Sequence, residues 1–198
     1  MVVPRRTRDD WTAVALAALA EGGLAAVAVE PLAARAGATK GSVYWHFPTR
    51  DALVEATLAR WELEHTEAVI AHAEQGATPP ERLRRLIGAV LHPERGIDIE
   101  MALHASLGDP LVAAAVARVG QRRMDYVVTL FTELGFTKTQ ARRRAVTAYA
   151  VYLGQAQLHR TNPDVAPSTP AAKRAYMADV MGVLLADPGP PRPAEADG

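Results

Sequence analysis

Eight residues between positions 39 and 50 carry groups that suit contacts with a nucleic acid. They bring hydroxyl, ammonium, aromatic, imidazole and guanidinium groups together within one short stretch of chain. Lysine can donate to guanine O6 or N7, serine can bond several bases, and the other polar groups can bond phosphates. The candidate DNA contacts are Thr39, Lys40, Gly41, Ser42, Tyr44, Trp45, His46 and Arg50.

These residues differ in the contact that their positions favour. Lys40 and Ser42 lie at the start of a predicted helix, where side chains reach base edges, and Gly41 lets the backbone come close. Trp45, on an exposed helix face, is suited to thymine methyl groups or to a neighbouring helix. His46 has a second interpretation as a structural histidine beside Phe47.

The surrounding sequence predicts two short helices joined by a glycine turn. Gly37 is placed for a left-handed residue after a helix that ends at Ala36. We expect the Thr39 side chain to cap a helix from Lys40 to Phe47, and Pro48 to end that helix. Thr49 is then the cap of the next helix. This arrangement is typical of a helix-turn-helix, whose second helix enters the major groove of DNA.

The stretch Gly37–Phe47, followed by Thr49–Leu53, resembles the TetR (tetracycline repressor) family of bacterial transcriptional regulators. The resemblance covers about the first quarter of the chain, and beyond it only the helical layout is similar. It implies an N-terminal three-helix DNA-binding domain, and a C-terminal helical domain for ligand binding and dimerisation. It also implies about nine helices, with phosphate contacts from Tyr44 and His46.

The sequence departs from the family pattern in the second helix. Ala28 and Val29 stand where relatives commonly carry a capping serine or threonine. Glu30 replaces a basic residue that some relatives use against DNA. The base preference of this chain is therefore expected to differ from theirs.

Composition supports an all-α fold and excludes several classes of function. Of the 198 residues, 49% are hydrophobic, with many alanines, and only 6% are aromatic, which favours helices over strands. The absence of cysteine excludes disulfides, thiolate zinc sites and cysteine nucleophiles. No catalytic set, metal-ligand set or cofactor motif is present, so we predict neither an enzyme nor a cofactor. No apolar stretch is long enough to span a membrane, which predicts a cytoplasmic protein.

The charge balance limits the expected affinity for DNA. The formal net charge is zero, and residues 1–60 hold seven basic and six acidic side chains, a net of +1. Such a weak positive field predicts modest non-specific binding. It also keeps open an alternative, a helical small-molecule-binding protein with weak or lost DNA binding.

Helix and loop signals divide the chain into three predicted parts, namely a DNA-binding domain at 1–53, a regulatory and dimerisation domain at 54–186, and a disordered tail at 187–198. Met1–Arg8 is predicted to be a disordered arm, either frayed or in contact with DNA. A long helix, Thr49–Glu74, is predicted to connect the two domains. Small-residue faces on the last two long helices suggest a dimer interface, although such faces also occur inside monomers: Ala141, Ala145, Ala148 and Tyr152, with Ala172, Ala175, Asp179 and Val183.

The C-terminal part is predicted to hold a cavity for a small, largely apolar effector. The alternative is that the same side chains simply fill a helical core. From the resemblance and these residues we expect a ligand-responsive repressor that binds a palindromic operator as a homodimer. The predicted cavity residues are Trp61, His65, Met101, His104, Met124, Val127, Phe131 and Tyr149.

Overall fold

The computed structural model of the chain describes residues 6–90 and 96–186, and within these ranges it consists of nine helices joined by turns. A short 3-10 turn, Leu24–Ala26, lies between the first two helices. The fourth helix continues without a break through Arg50–Glu62, a π-helical turn at Leu63–Glu67, and Ala68–Glu74. The helices are α1 Arg8–Gly22, α2 Val29–Arg35, α3 Lys40–Tyr44, α4 Arg50–Glu74, α5 Pro79–Val90, α6 Ile97–His104, α7 Pro110–Glu133, α8 Lys138–Thr161 and α9 Pro170–Leu185.

Helices α1 to α3 form a compact N-terminal unit. Thr7 and Asp10 form a reciprocal capping box at the start of α1. Gly37 has a φ of 61°, as the glycine turn between α2 and α3 predicted. Val43 and Phe47 are fully buried against Trp11 of α1, so the inner face of α3 is fixed by packing. A helix of only five residues depends on this docking for its stability.

Two local predictions about the helix-turn-helix were wrong. Helix α3 ends at Tyr44, and the chain reaches Phe47 through a further turn in which Phe47 N–H donates to Val43 O at 2.9 Å. The last turn tightens, because His46 N–H donates to Val43 O, three residues back, at 3.0 Å, and Pro48 disfavours helical backbone at Phe47. The Thr39 side chain does not cap α3, because the Thr39 carbonyl accepts from Ser42 N–H at 3.0 Å instead.

The predicted N-terminal arm is shorter than expected. Arg8 belongs to α1 and Thr7 is its cap, so these two residues are ordered by the capping box. Arg6 is also fixed, since its Nη2 donates to Ala36 O at 3.0 Å. Positions 1–5 lie outside the described residues, as do positions 91–95 and the predicted tail at 187–198.

Helix α4 joins two hydrophobic cores. Leu53 and Trp61, in its first part, are fully buried in a core that α1 to α3 share with α6 and the start of α7. Ile70 and Ala73, in its last part, are buried in a second core with α5, α7, α8 and α9. The predicted division between residues 53 and 54 falls inside α4, and the division itself stays a prediction.

Three C-terminal helices begin at residues whose side chains cap them. The Asp109 carboxylate accepts from Leu111 N–H at 2.9 Å, and Thr137 forms a capping box with Gln140. Thr169 caps α9. The long helices α7 and α8 pack against each other over a more extensive contact than any other helix pair among the described residues. None of the described helices combines the length and apolarity needed to cross a bilayer.

The predicted small-residue face of α8 is turned into the chain itself. Ala141 and Ala145 are fully buried, while Ala148 and Tyr152 line an internal cavity. The interpretation of this face as a dimer surface was therefore wrong, because its neighbours are other helices of the same chain. The four residues of the predicted face on α9 are exposed, namely Ala172, Ala175, Asp179 and Val183.

Candidate nucleic-acid interface and apolar cavity

Helix α3 and the turn after it present their polar and aromatic side chains outward. Ser42 and His46 are half-buried, and the other six predicted contacts are exposed. Tyr44 is 51% exposed and Trp45 is 71% exposed, which are high values for large aromatic side chains. The structure thus brings all eight residues to one region, over a buried inner face.

Lys40 is paired with Glu30 of α2. The Lys40 ammonium donates to the Glu30 carboxylate, and the two side chains remain 58% and 70% exposed. Both groups are therefore accessible to a ligand on the outer face of the helix-turn-helix. The sequence singled out Glu30 only as a departure from the family, and nothing in the local pattern indicated its contact with Lys40.

His46 contacts the backbone of Arg6, which precedes α1. Its Nε2 lies 3.0 Å from the Arg6 carbonyl oxygen, to which it donates when that nitrogen carries the proton. The Arg6 guanidinium in turn lies 5.7 Å from the centre of the Trp11 ring. Arg6 is thus a cation held beside the candidate interface. In the sequence, only its place in a basic N-terminal segment indicated a contact with DNA.

Arg50 and Thr39 differ in how the structure engages them. The Arg50 side chain is exposed, and its Nη2 donates to Leu24 O at 3.2 Å, across the turn between α1 and α2. The exposed Thr39 hydroxyl has no hydrogen bond among residues 6–90 and 96–186. Thr49 caps α4 through Ala52 N–H at 3.1 Å, so Arg50 is held at the first position of that helix.

A small apolar cavity of about 80 Å³ lies between α4, α5, α7, α8 and α9. Four of the predicted cavity residues line it, namely His65, Met124, Val127 and Tyr149. Side chains from α5 and α9 also contribute, which the sequence could not show because these contacts depend on helix packing. The additional lining residues are Thr66, Val69, Ile70, Leu83, Leu86, Ile87, Val90, Arg123, Tyr126, Ala148, Val151, Tyr152, Val180 and Leu184.

The other four predicted residues lie away from the cavity wall. Trp61 is fully buried in the N-terminal core. Phe131 is fully buried in the C-terminal core, edge-on to Phe136 with 5.9 Å between ring centres. Met101 and His104 lie on α6, which does not line the cavity, and both are half-buried.

A buried polar cluster adjoins the cavity. The side chain of Glu100 is 2% exposed, and Arg123 Nη1 donates to Glu100 Oε1 at 2.9 Å. Tyr152 donates to the other carboxylate oxygen at 3.2 Å, and His104 Nε2 lies 3.5 Å from Oε1, longer than a good hydrogen bond. Burial alone would raise the pKa of the Glu100 carboxyl, but His104 and Arg123 outweigh burial and lower it. Sequence patterns did not indicate this cluster.

Arginines of α7 tie this region to the π-helical turn of α4. Arg123 Nε donates to Thr66 Oγ1 at 3.0 Å and its Nη2 to His65 O at 3.3 Å. Arg122 pairs with Glu67 at 2.9 Å. A π turn leaves backbone groups outside the regular helical ladder, and such turns occur frequently at functional sites.

The described residues thus form a helix-turn-helix with an outward polar face, joined by one long helix to a bundle that holds a cavity. Residues 12–57 match the family described as bacterial regulatory proteins, tetR family. This match covers the helix-turn-helix and confirms the predicted resemblance of that part of the chain to the TetR family, while over most of its length the chain shares the fold of solved structures that include a putative TetR-family regulator.

Solved structures with low sequence identity share this fold. A transcriptional regulator from Rhodococcus sp. Rha1 is similar with a TM-score of 0.75 and 21% identity, over 91% of this chain and 96% of that chain. A regulator from Saccharomonospora viridis, in complex with choline, gives 0.69 and 18%, over 88% and 94%. SmeT, the repressor of the Stenotrophomonas maltophilia multidrug efflux pump SmeDEF, gives 0.62 and 23%, over 89% and 87%. No curated protein matches the chain significantly.

Proposed function

We propose that this chain is a ligand-responsive transcriptional repressor that binds a palindromic operator as a homodimer. The observation that carries the proposal is the outward face of α3, where Lys40, Tyr44 and Trp45 are exposed above fully buried Val43 and Phe47. Large aromatic and cationic groups on a short docked helix suit insertion into a major groove. A cytoplasmic location and the absence of enzymatic activity belong to the same proposal.

The exposed groups divide into base contacts and phosphate contacts. Lys40 and Ser42 face base edges in this proposal, with Gly41 allowing close approach of the backbone. Trp45 meets thymine methyl groups. The phosphate contacts are Thr39, Tyr44, His46 and Arg50.

The proposed dimer uses exposed apolar stripes on α8 and α9. A single α3 is too short to hold one operator, so two copies must act together, with half-sites about 34–36 Å apart. The stripes are made of small and apolar residues spaced three or four apart, which permits close helix packing. They are Val146, Ala150, Gly154 and Leu158 on α8, and Ala171, Ala175, Ala178, Gly182 and Leu185 on α9.

The cavity provides a route by which a ligand acts on DNA binding. Its wall includes Val69 and Ile70 of α4, the same helix whose N-terminus carries Arg50. The cavity measures about 80 Å³ and is partly open, and in this proposal a larger effector parts the surrounding helices and displaces α4 as it enters. A ligand that favours the displaced state weakens DNA binding, and DNA must weaken that ligand by the same factor, typically about 1–3 kcal/mol.

The experiment is to select bound DNA from a random pool, and then to measure binding of the selected site by fluorescence anisotropy. We expect an inverted repeat, bound by the wild type and more weakly by Lys40→Ala. Lys138→Ala removes another exposed lysine, on α8, and serves as the matched control. Failure of the wild type to enrich any sequence would contradict the proposal.

The alternative function is a small-molecule-binding protein with weak or lost DNA binding. The observation that favours this alternative is the ion pair between Glu30 and Lys40, because the Glu30 carboxylate places a negative charge at the candidate interface. Ligands that bind with equal affinity in the presence and absence of the selected DNA would support this alternative over regulation.

A further inference from the structure

We propose that the cavity takes an uncharged ligand, with an apolar body and at most a neutral hydrogen-bonding group at its polar end. This inference rests on the proposed function, since it names the class of effector for the same cavity. It follows from the way in which the charges beside the cavity are already balanced.

An anionic ligand would have to compete with a carboxylate that is already in place. Arg123 is the one Lys or Arg side chain among the described residues of the cavity wall. Its guanidinium donates to Glu100 at 2.9 Å, to Thr66 at 3.0 Å and to the His65 carbonyl at 3.3 Å. The positive charge is therefore neutralised, and three of its donor hydrogens are in use.

The Glu100 carboxylate is equally satisfied from its other side. Tyr152 donates to Oε2 at 3.2 Å, and the side chain is 2% exposed. A buried ion pair with extra hydrogen bonds presents almost no net charge to a ligand nearby.

A cationic ligand finds neither a counter-ion nor a free aromatic face at this end. The described residues of the wall include no aspartate or glutamate. Arg123 lies 5.4 Å from the ring centre of Trp61 and 5.5 Å from that of Tyr152, so the faces most suited to a cation already hold one.

The remaining polar groups of the wall are neutral. His65 borders the cavity, and burial, the largest effect, lowers the pKa of its imidazole, which favours the uncharged ring near neutral pH. Tyr149 stacks on Tyr152 with 6.0 Å between ring centres. These two side chains can meet a hydroxyl or carbonyl group, and aliphatic side chains surround the rest of the ligand.

The test compares three probes with the same chain length, octan-1-ol, octanoate and octylammonium, by isothermal titration calorimetry on the full chain at pH 7. We expect octan-1-ol to bind at least about tenfold more tightly than either ion, because a charge that enters without a partner loses its hydration. Octanoate or octylammonium binding as tightly as the alcohol would overturn the inference. Absence of binding by all three would overturn it as well.

A variant sharpens the test by removing the internal counter-ion. Glu100→Gln leaves the Arg123 charge unbalanced, so octanoate should now bind and should raise the midpoint of thermal unfolding. Glu62→Gln is the matched control, because it releases Arg118 from an ion pair that lies outside the cavity wall. A folded Glu100→Gln variant without any gain for octanoate would contradict the inference, and if this variant does not fold the wild-type series decides alone.

The result is kept separate from the proposed regulatory function. Probe binding is measured without DNA, and DNA binding is measured without a probe. If the selected operator binds but the cavity prefers an ion, only the inference on ligand charge fails. If no DNA binds while the alcohol does, the proposed repressor function fails and the ligand class stands.

Discussion

Lys40 of α3 and Glu30 of α2 form an ion pair on the outer surface of the helix-turn-helix. Lys40 is the residue proposed to contact a base, and the carboxylate of Glu30 would be repelled by DNA phosphates. For Lys40 to contact a base, its ion pair with Glu30 must break, or the Glu30 carboxylate must enter the groove together with it. The pair gives the first prediction.

Replacing Glu30 with glutamine should strengthen DNA binding for all sequences. The change releases Lys40 and removes a negative charge from the interface, and its effect should shrink as salt screens the charges. Affinity is measured by fluorescence anisotropy at several salt concentrations. Glu21→Gln is the control, since it also removes a carboxylate from an exposed ion pair, with Arg35. Equal gains in both variants would show an effect of net charge and none of the Lys40 contact.

Lys40→Ala should relax the preference for one base pair in each half-site. If lysine makes a good base contact, its loss costs about 1–3 kcal/mol on the preferred sequence and much less on sequences changed at that position. Tyr44→Phe should instead weaken all sequences alike, because the proposed contact is to a phosphate. Binding to a panel of single-base variants of the operator separates the two patterns. A uniform loss for Lys40→Ala would assign this lysine to the phosphates.

Residues 37–53 show which structural features can be predicted from the sequence alone and which cannot. Gly37 and Thr49 act through local backbone chemistry, so the turn before α3 and the cap of α4 were predictable from residue type and spacing, whereas the end of α3 at Tyr44 was not. The contacts Lys40–Glu30 and His46–Arg6 join residues 10 and 40 positions apart. They depend on how the helices dock, and no periodic pattern encodes them.

The cavity shows the same limit. His65, Met124, Val127 and Tyr149 were predicted from type and helix position, and they line it. Trp61 and Phe131 have equally suitable side chains, but the rotation of their helices places them in the two cores. The role of Glu100 was not predictable from the sequence, because a carboxylate in a helix is normally solvated, and only packing against Arg123 makes it a buried group.

Stability should fall on acidification because of Glu100. Although burial alone would raise the pKa of its carboxyl, contacts with His104 and Arg123 hold that pKa below the usual 4.5. A carboxyl with a lowered folded-state pKa stabilises the fold above its unfolded pKa, and this contribution is lost as the pH falls through the folded value. We expect the wild-type unfolding free energy to decline below about pH 4.5. Denaturant unfolding at several pH values measures it.

Glu100→Gln should lower stability near neutral pH and reduce this acid dependence. Removing one partner of a buried ion pair leaves the other charge unpaired, at a cost of about 3–5 kcal/mol. Glu62→Gln, in an exposed pair with Arg118, should change stability far less. An unchanged acid dependence in Glu100→Gln would show that other carboxyls cause the decline.

Gly154→Glu should abolish dimerisation without disturbing the monomer. A Cβ atom added at Gly154 meets nothing within 4 Å among the described residues, yet the residue lies in the middle of the exposed stripe on α8. In the proposed dimer the added carboxylate is pressed against the partner. Sedimentation velocity should show a monomer that binds the operator weakly. Gly108→Glu, at an equally open position outside the stripes, should stay dimeric, and a dimeric Gly154→Glu would rule out this interface.

The π-helical turn at Leu63–Glu67 sets the rotational phase between the two ends of α4. Each residue of an α-helix advances the direction of its side chain by about 100°, from 3.6 residues per turn. Trp61 before the turn and Ile70 after it both point into cores, and the extra residue of the wider turn lets both do so. Deleting one residue within this turn would restore a regular helix and keep the relative phase of its two ends, whereas a deletion elsewhere in α4 would turn one end by about 100° relative to the other. The π turn is therefore the place in α4 where loss of a single residue is expected to be tolerated, and insertions or deletions elsewhere in the helix are expected to be far less tolerated than substitutions.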